Sequence, residues 1–107
     1  MRIETTQIMS IFDELLPLTE EELGNYWFKS SRSDGLVITL AVSIYECKVA
    51  ISIYSSSEVA IASVHFKSCA EVNVLDGKRK CLEILHGNGK GRCFISLMGD
   101  TILEYSE

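Results

Sequence analysis

A chain of 107 residues with 47% hydrophobic and 23% charged side chains, seven Gly and one Pro has the composition of one ordinary globular domain. That composition excludes a disordered chain, a collagen-like repeat and a two-domain enzyme, and a chain of this length needs neither metal nor disulfide to hold a core. The net charge of -5 is concentrated at one end: residues 1–22 carry six acids against Arg2, whereas residues 23–107 carry nine acids and nine bases. An acidic pole repels nucleic acid and membrane surfaces and speeds encounter with a basic partner, although a solvated face kept acidic for solubility has the same composition.

In chain order, the N-terminus lacks an apolar export segment, and the uncharged stretches Gly35–Tyr45 and Val49–Ser57 are too short to span a bilayer. The expectation is an unprocessed cytoplasmic protein without a membrane partner. From Thr5 to Leu16, Ile8, Ile11, Phe12, Leu15 and Leu16 recur at helical spacing until Pro17, which predicts one amphipathic helix of about three turns. Thr19 and Glu22 have capping-box spacing for a short helical turn ended by Gly24 and Asn25, and Tyr26–Phe28 is the expected first strand.

Beyond the polar turn Ser30–Gly35 the period becomes two. Leu36, Ile38, Leu40, Val42 and Ile44 form one face of a strand, and Val49, Ile51 and Ile53 one face of the next, after a turn around Glu46 and Cys47. Ser55–Ser57 is the following turn. The apolar set then moves from Val59 and Ile61 to Val64 and Phe66, which suggests a β-bulge near Ala62 and Ser63. Ala70, Val72, Val74, Leu82 and Ile84 keep one parity across Asp76-Gly77, which calls for an odd loop, Leu75-Asp76-Gly77 with Gly77 left-handed. Across Asn88-Gly89 the parity changes, so a two-residue loop brings Ile84 opposite Cys93. A last turn at Gly99-Asp100 leads into Thr101–Tyr105. The chain therefore reads as a single α+β domain, residues 1–107, with one N-terminal helix packed on a curved antiparallel meander of about seven or eight strands, one sheet face left open. The expected core includes Ile8, Ile11, Phe12, Leu15, Leu36, Ile38, Leu40, Val49, Ile51 and Val72.

No reaction is legible, and the expectation is a non-enzyme without metal, cofactor or small-molecule substrate. His65 and His86 are the only imidazoles for acid–base work, but one alternates within a strand and the other ends a hairpin. Gly87-Asn88-Gly89-Lys90-Gly91 lacks the helix that a phosphate loop must enter. Lys78, Arg79, Lys80, Lys90 and Arg92 make one set of strand tips basic, with too few interleaved aromatics for a nucleic-acid surface. No GxSxG elbow is present. Cys47, Cys69, Cys81 and Cys93 lack metal-site spacing and read as reduced packing residues. Tyr26, Trp27, Tyr45 and Tyr54 are amphipathic aromatics suited to packing or to anchoring a partner.

The order of an acidic amphipathic helix (Ile8–Leu16), the turn Ser31-Arg32-Ser33-Asp34-Gly35 and a long meander starting Leu36-Val37-Ile38-Thr39-Leu40 resembles the small immunity proteins of bacterial toxin systems, including contact-dependent growth inhibition. The resemblance lies in layout, size and charge and transfers no residue. It implies a protein that binds a cognate toxin and blocks its active site; such toxins are commonly basic nucleases. On this reading the partner-binding candidates are Asp13, Glu14, Glu20, Glu21 and Glu22, with Tyr26 and Trp27 as aromatic anchors. The competing reading is a small acidic chaperone for a secreted effector.

Overall fold

The computed structural model describes residues 1–87 and 91–106. Its elements are β1 (Arg2–Ile3), α1 (Thr5–Ile11), β2 (Glu14–Leu15), β3 (Asn25–Ser31), β4 (Val37–Ser43), β5 (Lys48–Tyr54), β6 (Ala60–Phe66), β7 (Cys69–Asp76), β8 (Cys81–His86), β9 (Arg92–Ser96) and β10 (Leu103–Ser106). The helix-and-sheet expectation holds in its coarse form, an α+β fold rich in antiparallel pairing. The single meander does not: among the described residues ten strands divide into two five-stranded sheets, ordered β1-β7-β8-β9-β10 (sheet I) and β2-β3-β4-β5-β6 (sheet II). The chain passes from sheet II to sheet I through Lys67 and Ser68, with Ser68 at a positive φ of 56°. β1 is also unlike the rest, pairing parallel with β7.

The helix is shorter than its pattern. Seven residues are helical, with Ile8 and Ile11 buried one turn apart, and Phe12 is already extended. The residues expected to continue it are claimed by β3 instead. Asp13 N–H donates to Lys29 C=O, Leu15 pairs with Phe28, Leu16 N–H donates to Trp27 C=O, and the Phe12 ring packs 5.6 Å from Phe28. Phe12 and Leu15 thus turn to the core from extended backbone with the same side chains that fit a helical stripe, while Leu16 lines the surface and is held by its backbone. Of the expected core, Leu15 and Leu36 are half-buried and the rest are buried. One core cluster draws on both sheets, with Phe28, Leu40 and Ile51 from sheet II and Val72, Ile84 and Ile95 from sheet I, each at most 1% exposed and each contributing roughly 1.5–3 kcal/mol by leaving water.

Local chemistry explains the remaining differences. The Thr19–Glu22 capping box does not form: the helical turn Glu21–Leu23 follows Glu20 without a side-chain cap, and Thr19 Oγ1 accepts from Trp27 N–H at 2.9 Å. Gly24 closes that turn at φ 68°, where an added Cβ would meet the Tyr45 ring at 3.0 Å. The bulge lies at Ile61, since Ile53 pairs with Ala62 and Tyr54 with Ala60. Asp76-Gly77 begins a longer turn than expected. Asp76 Oδ1 accepts from Lys78 and Arg79 N–H, the left-handed residue is Lys80 rather than Gly77, and the odd offset arises from a register shift between Val74 and Asp76. Ile84 does pair with Cys93, while the Asn88-Gly89 loop lies outside the described residues. All four cysteines are free, and burial pushes the Cys93 thiol up to about 11.

The turn between β3 and β4 joins the two sheets. The Arg32 guanidinium, with its side chain 8% exposed, donates to Asp34 Oδ2 at 3.1 Å, to Ser96 C=O at 3.2 Å and to Gly99 C=O. Asp34 Oδ1 in turn accepts from Leu36 N–H at 3.1 Å. That backbone donor first, and the Arg32 guanidinium after it, hold the Asp34 carboxyl below its ordinary 3.8. A lowered folded-state value means that this stabilisation is present above 3.8 and is lost as the pH falls through the folded value. Asp34→Asn is therefore expected to flatten the acid limb of a Tm-against-pH profile; an unchanged limb would assign the acid sensitivity to other carboxylates.

Candidate functional site

Alternation places one set of sheet II side chains in the core and the other on an outer face that no other element covers among the described residues. Across β3, β4, β5 and β6 the outward row is Trp27, Ala41, Ala50 and His65, and the next is Lys29, Thr39, Ser52 and Ser63. Two alanines between Trp27 and His65 make the surface dip, leaving an open depression of about 610 Å³. A second, of about 570 Å³, is lined by Leu16, Leu18, Lys29, Thr39 and Tyr54. Trp27 contributes to both.

The position of Trp27 is held by its backbone. Its N–H donates to Thr19 Oγ1 at 2.9 Å and its C=O accepts from Leu16 N–H at 2.7 Å, so the loop after β2 grips β3 at this residue. The indole, 37% exposed, stands on a rigid strand and loses little freedom when a partner covers it.

The acidic candidates gather along the β2 edge of this face but differ in availability. Asp13 Oδ2 accepts from Ser31 N–H at 2.7 Å and so serves the edge of β3. Glu14 pairs with Lys29 at 3.9 Å. Glu20 lines the larger depression, and Glu21 and Glu22 follow it in the exposed helical turn. Tyr26 and Trp27, expected as neighbouring anchors, point to opposite faces: Tyr26 packs on the core with its ring stacked 6.2 Å from Phe28. Two residues absent from the expectation stand beside the acids. Leu18, 65% exposed, lines the second depression, and Leu23, 56% exposed, lies in the turn with Glu21 and Glu22. A leucine between Pro17 and Thr19, and another next to Gly24, occupy loop sequence where burial has no periodic basis, and that was the available signal.

The other chemical readings separate in space. His65 lies on the outer face with Nε2 3.2 Å from Ser63 Oγ, whereas His86 belongs to sheet I, its ring edge-on to Phe66 and Tyr105. Among the described residues no group of three His, Cys, Asp or Glu side chains is arranged to hold a metal ion. The centre of the Gly87–Gly91 segment, with Lys90, lies outside the described residues. Of the basic tips, Arg92 pairs with the buried Glu83 at 3.4 Å and Arg79 with Asp76 at 3.9 Å. Among the described residues no helix is long and apolar enough to cross a membrane. Compared with known proteins, the chain matches no family, no curated protein and no solved structure.

Proposed function

We propose that this chain is a binding protein of the immunity type, which neutralises a basic protein toxin, a nuclease domain being the partner class, by covering its cationic substrate site. The observation that carries the reading is Trp27, fixed on an uncovered sheet face between two depressions and bordered by Glu20–Glu22 with the exposed Leu18 and Leu23. Aromatic and apolar anchors beside carboxylates that have no ion-pair partner among the described residues are what a basic protein surface requires: the carboxylates steer encounter and the indole holds the complex. A nuclease must attract phosphates, so its site also attracts carboxylates.

The test begins with copurification of the partner from the native host and continues with binding kinetics. Replacing Glu20, Glu21 and Glu22 by Gln is expected to slow association and to flatten its salt dependence. Trp27→Ala is expected to raise the dissociation rate by roughly thirtyfold or more, as loss of a central aromatic does. Association indifferent to salt and to the Gln variant, with dissociation indifferent to Trp27→Ala, would show that the partner binds elsewhere.

A further inference from the structure

The four edges of the two sheets are unequal. β1 and β2 have two residues each and β10 has four, and they carry Arg2, Glu14 and Glu104 respectively. Brevity and charge are the usual means of keeping an edge from pairing. β6 has neither: it runs seven residues, Ala60–Phe66, and from Val59 onward contains no Asp, Glu, Lys, Arg or Pro. Val59 is 61% and Ile61 58% exposed, and residues 60–63 are all exposed.

We propose that β6 is a homodimer interface, in which β6 strands of two copies pair antiparallel about a two-fold axis through Ser63 and join two copies of sheet II into one continuous sheet. An axis normal to the sheet keeps each face on its own side, so only residues of like face can meet. Pairing with β5 gives those faces: Ala62, Val64 and Phe66 oppose Ile53, Ile51 and Val49 on the core side, and Ser63 and His65 oppose Ser52 and Ala50 outward. The bulge at Ile61 reverses the phase beyond it, so that Ala60, opposite Tyr54, is outward as well.

The resulting register is self-complementary. From the axis outward, Ser63 meets its own copy, Ala62 meets Val64 of the partner subunit, and Ala60 meets His65 of the partner subunit. Val59 then meets Phe66 of the partner subunit on the core side, and Glu58, which lies in the left-handed bend before β6 at φ 66° and lines the second outer-face depression, comes opposite Lys67 of the partner subunit on the outer side. Glu58 and Lys67 each line an outer-face depression, as that pairing requires. Without the bulge Val59 would face lysine and Glu58 would face Ser68. The charges bounding the apolar run are therefore placed to select a second copy of this strand over an unrelated one. The acidic β2 edge lies four strand spacings away, roughly 19 Å, so both Trp27 faces stay free and this proposal stands independently of the toxin-binding reading.

Sedimentation velocity on the full chain from about 1 µM to about 0.5 mM is expected to show a monomer–dimer equilibrium. Glu58→Lys or Lys67→Glu alone is expected to weaken the dimer about tenfold, because two attractive pairs become repulsive. The double variant is expected to return the dissociation constant to within about twofold of wild type, a rescue that a merely structural role of either residue does not produce. Both positions are exposed, so an unchanged Tm for each variant is expected. A chain monomeric throughout the range overturns the proposal and leaves the edge to a strand of another protein. A dimer indifferent to the single substitutions, or one not rescued by the double, overturns it as well.

Discussion

Replacing Ile51 by Asp is expected to leave the chain unfolded at room temperature. Ile51 is 1% exposed in the middle of β5, between Leu40 on β4 and Val64 on β6. The substitution forfeits roughly 1.5–3 kcal/mol of burial and adds several kcal/mol for a carboxylate without a partner. Domains of this size have about 5–15 kcal/mol in total. Ile51→Val removes one methylene and is expected to cost only ~0.5–1.5 kcal/mol, which distinguishes the buried charge from a general intolerance of change. Far-UV circular dichroism and urea titration decide the matter. An Asp variant with the wild-type midpoint would remove Ile51 from the core.

The strands were legible because alternation is a direct consequence of pleated geometry: Ile38, Leu40 and Val42, then Val49 and Ile51, are buried as their period requires. The Ile84–Cys93 register was legible because parity across a hairpin allows few loop lengths. Division into two sheets was not, since alternation tells inside from outside but not which of two facing layers a strand joins. That choice is made at Lys67 and Ser68, two residues with no periodicity, and at β1, too short to carry a pattern. The C-terminal part of the predicted helix failed for a different reason. Phe12 and Leu15 meet the demands of both a helical stripe and extended backbone, and contact with Phe28 decides between them. At the candidate site the sequence offers Tyr26 and Trp27 together as amphipathic aromatics. Strand parity separates the pair, because Tyr26, Phe28 and Ser30 oppose Val42, Leu40 and Ile38.

The second large effect is expected at Arg32, a residue in the Ser31–Gly35 turn that periodicity cannot assign a role. Its guanidinium is the polar tie between the β3–β4 hairpin of sheet II and the β9–β10 turn of sheet I, with acceptors at Asp34, Ser96 and Gly99. Each acceptor is served by a different nitrogen, Nε, Nη1 and Nη2, a spread of donors that a single ammonium nitrogen lacks, and a hydrogen bond from a charged donor contributes about 1.5–3 kcal/mol where water is excluded. After Arg32→Ala the two carbonyls recover part of this by hydration, since Gly99 is exposed. A net loss of roughly 2–3 kcal/mol follows, equivalent to a fall in Tm of about 10 °C or more. Arg32→Lys is expected to recover less than half of it, because an ammonium supplies the charge without the fork. Asp34→Ala is expected to cost less than Arg32→Ala, since both carbonyl bonds across the sheets survive it. Thermal unfolding of the three variants orders them, and a Lys variant as stable as wild type would reduce Arg32 to a surface charge with no part in holding the sheets together.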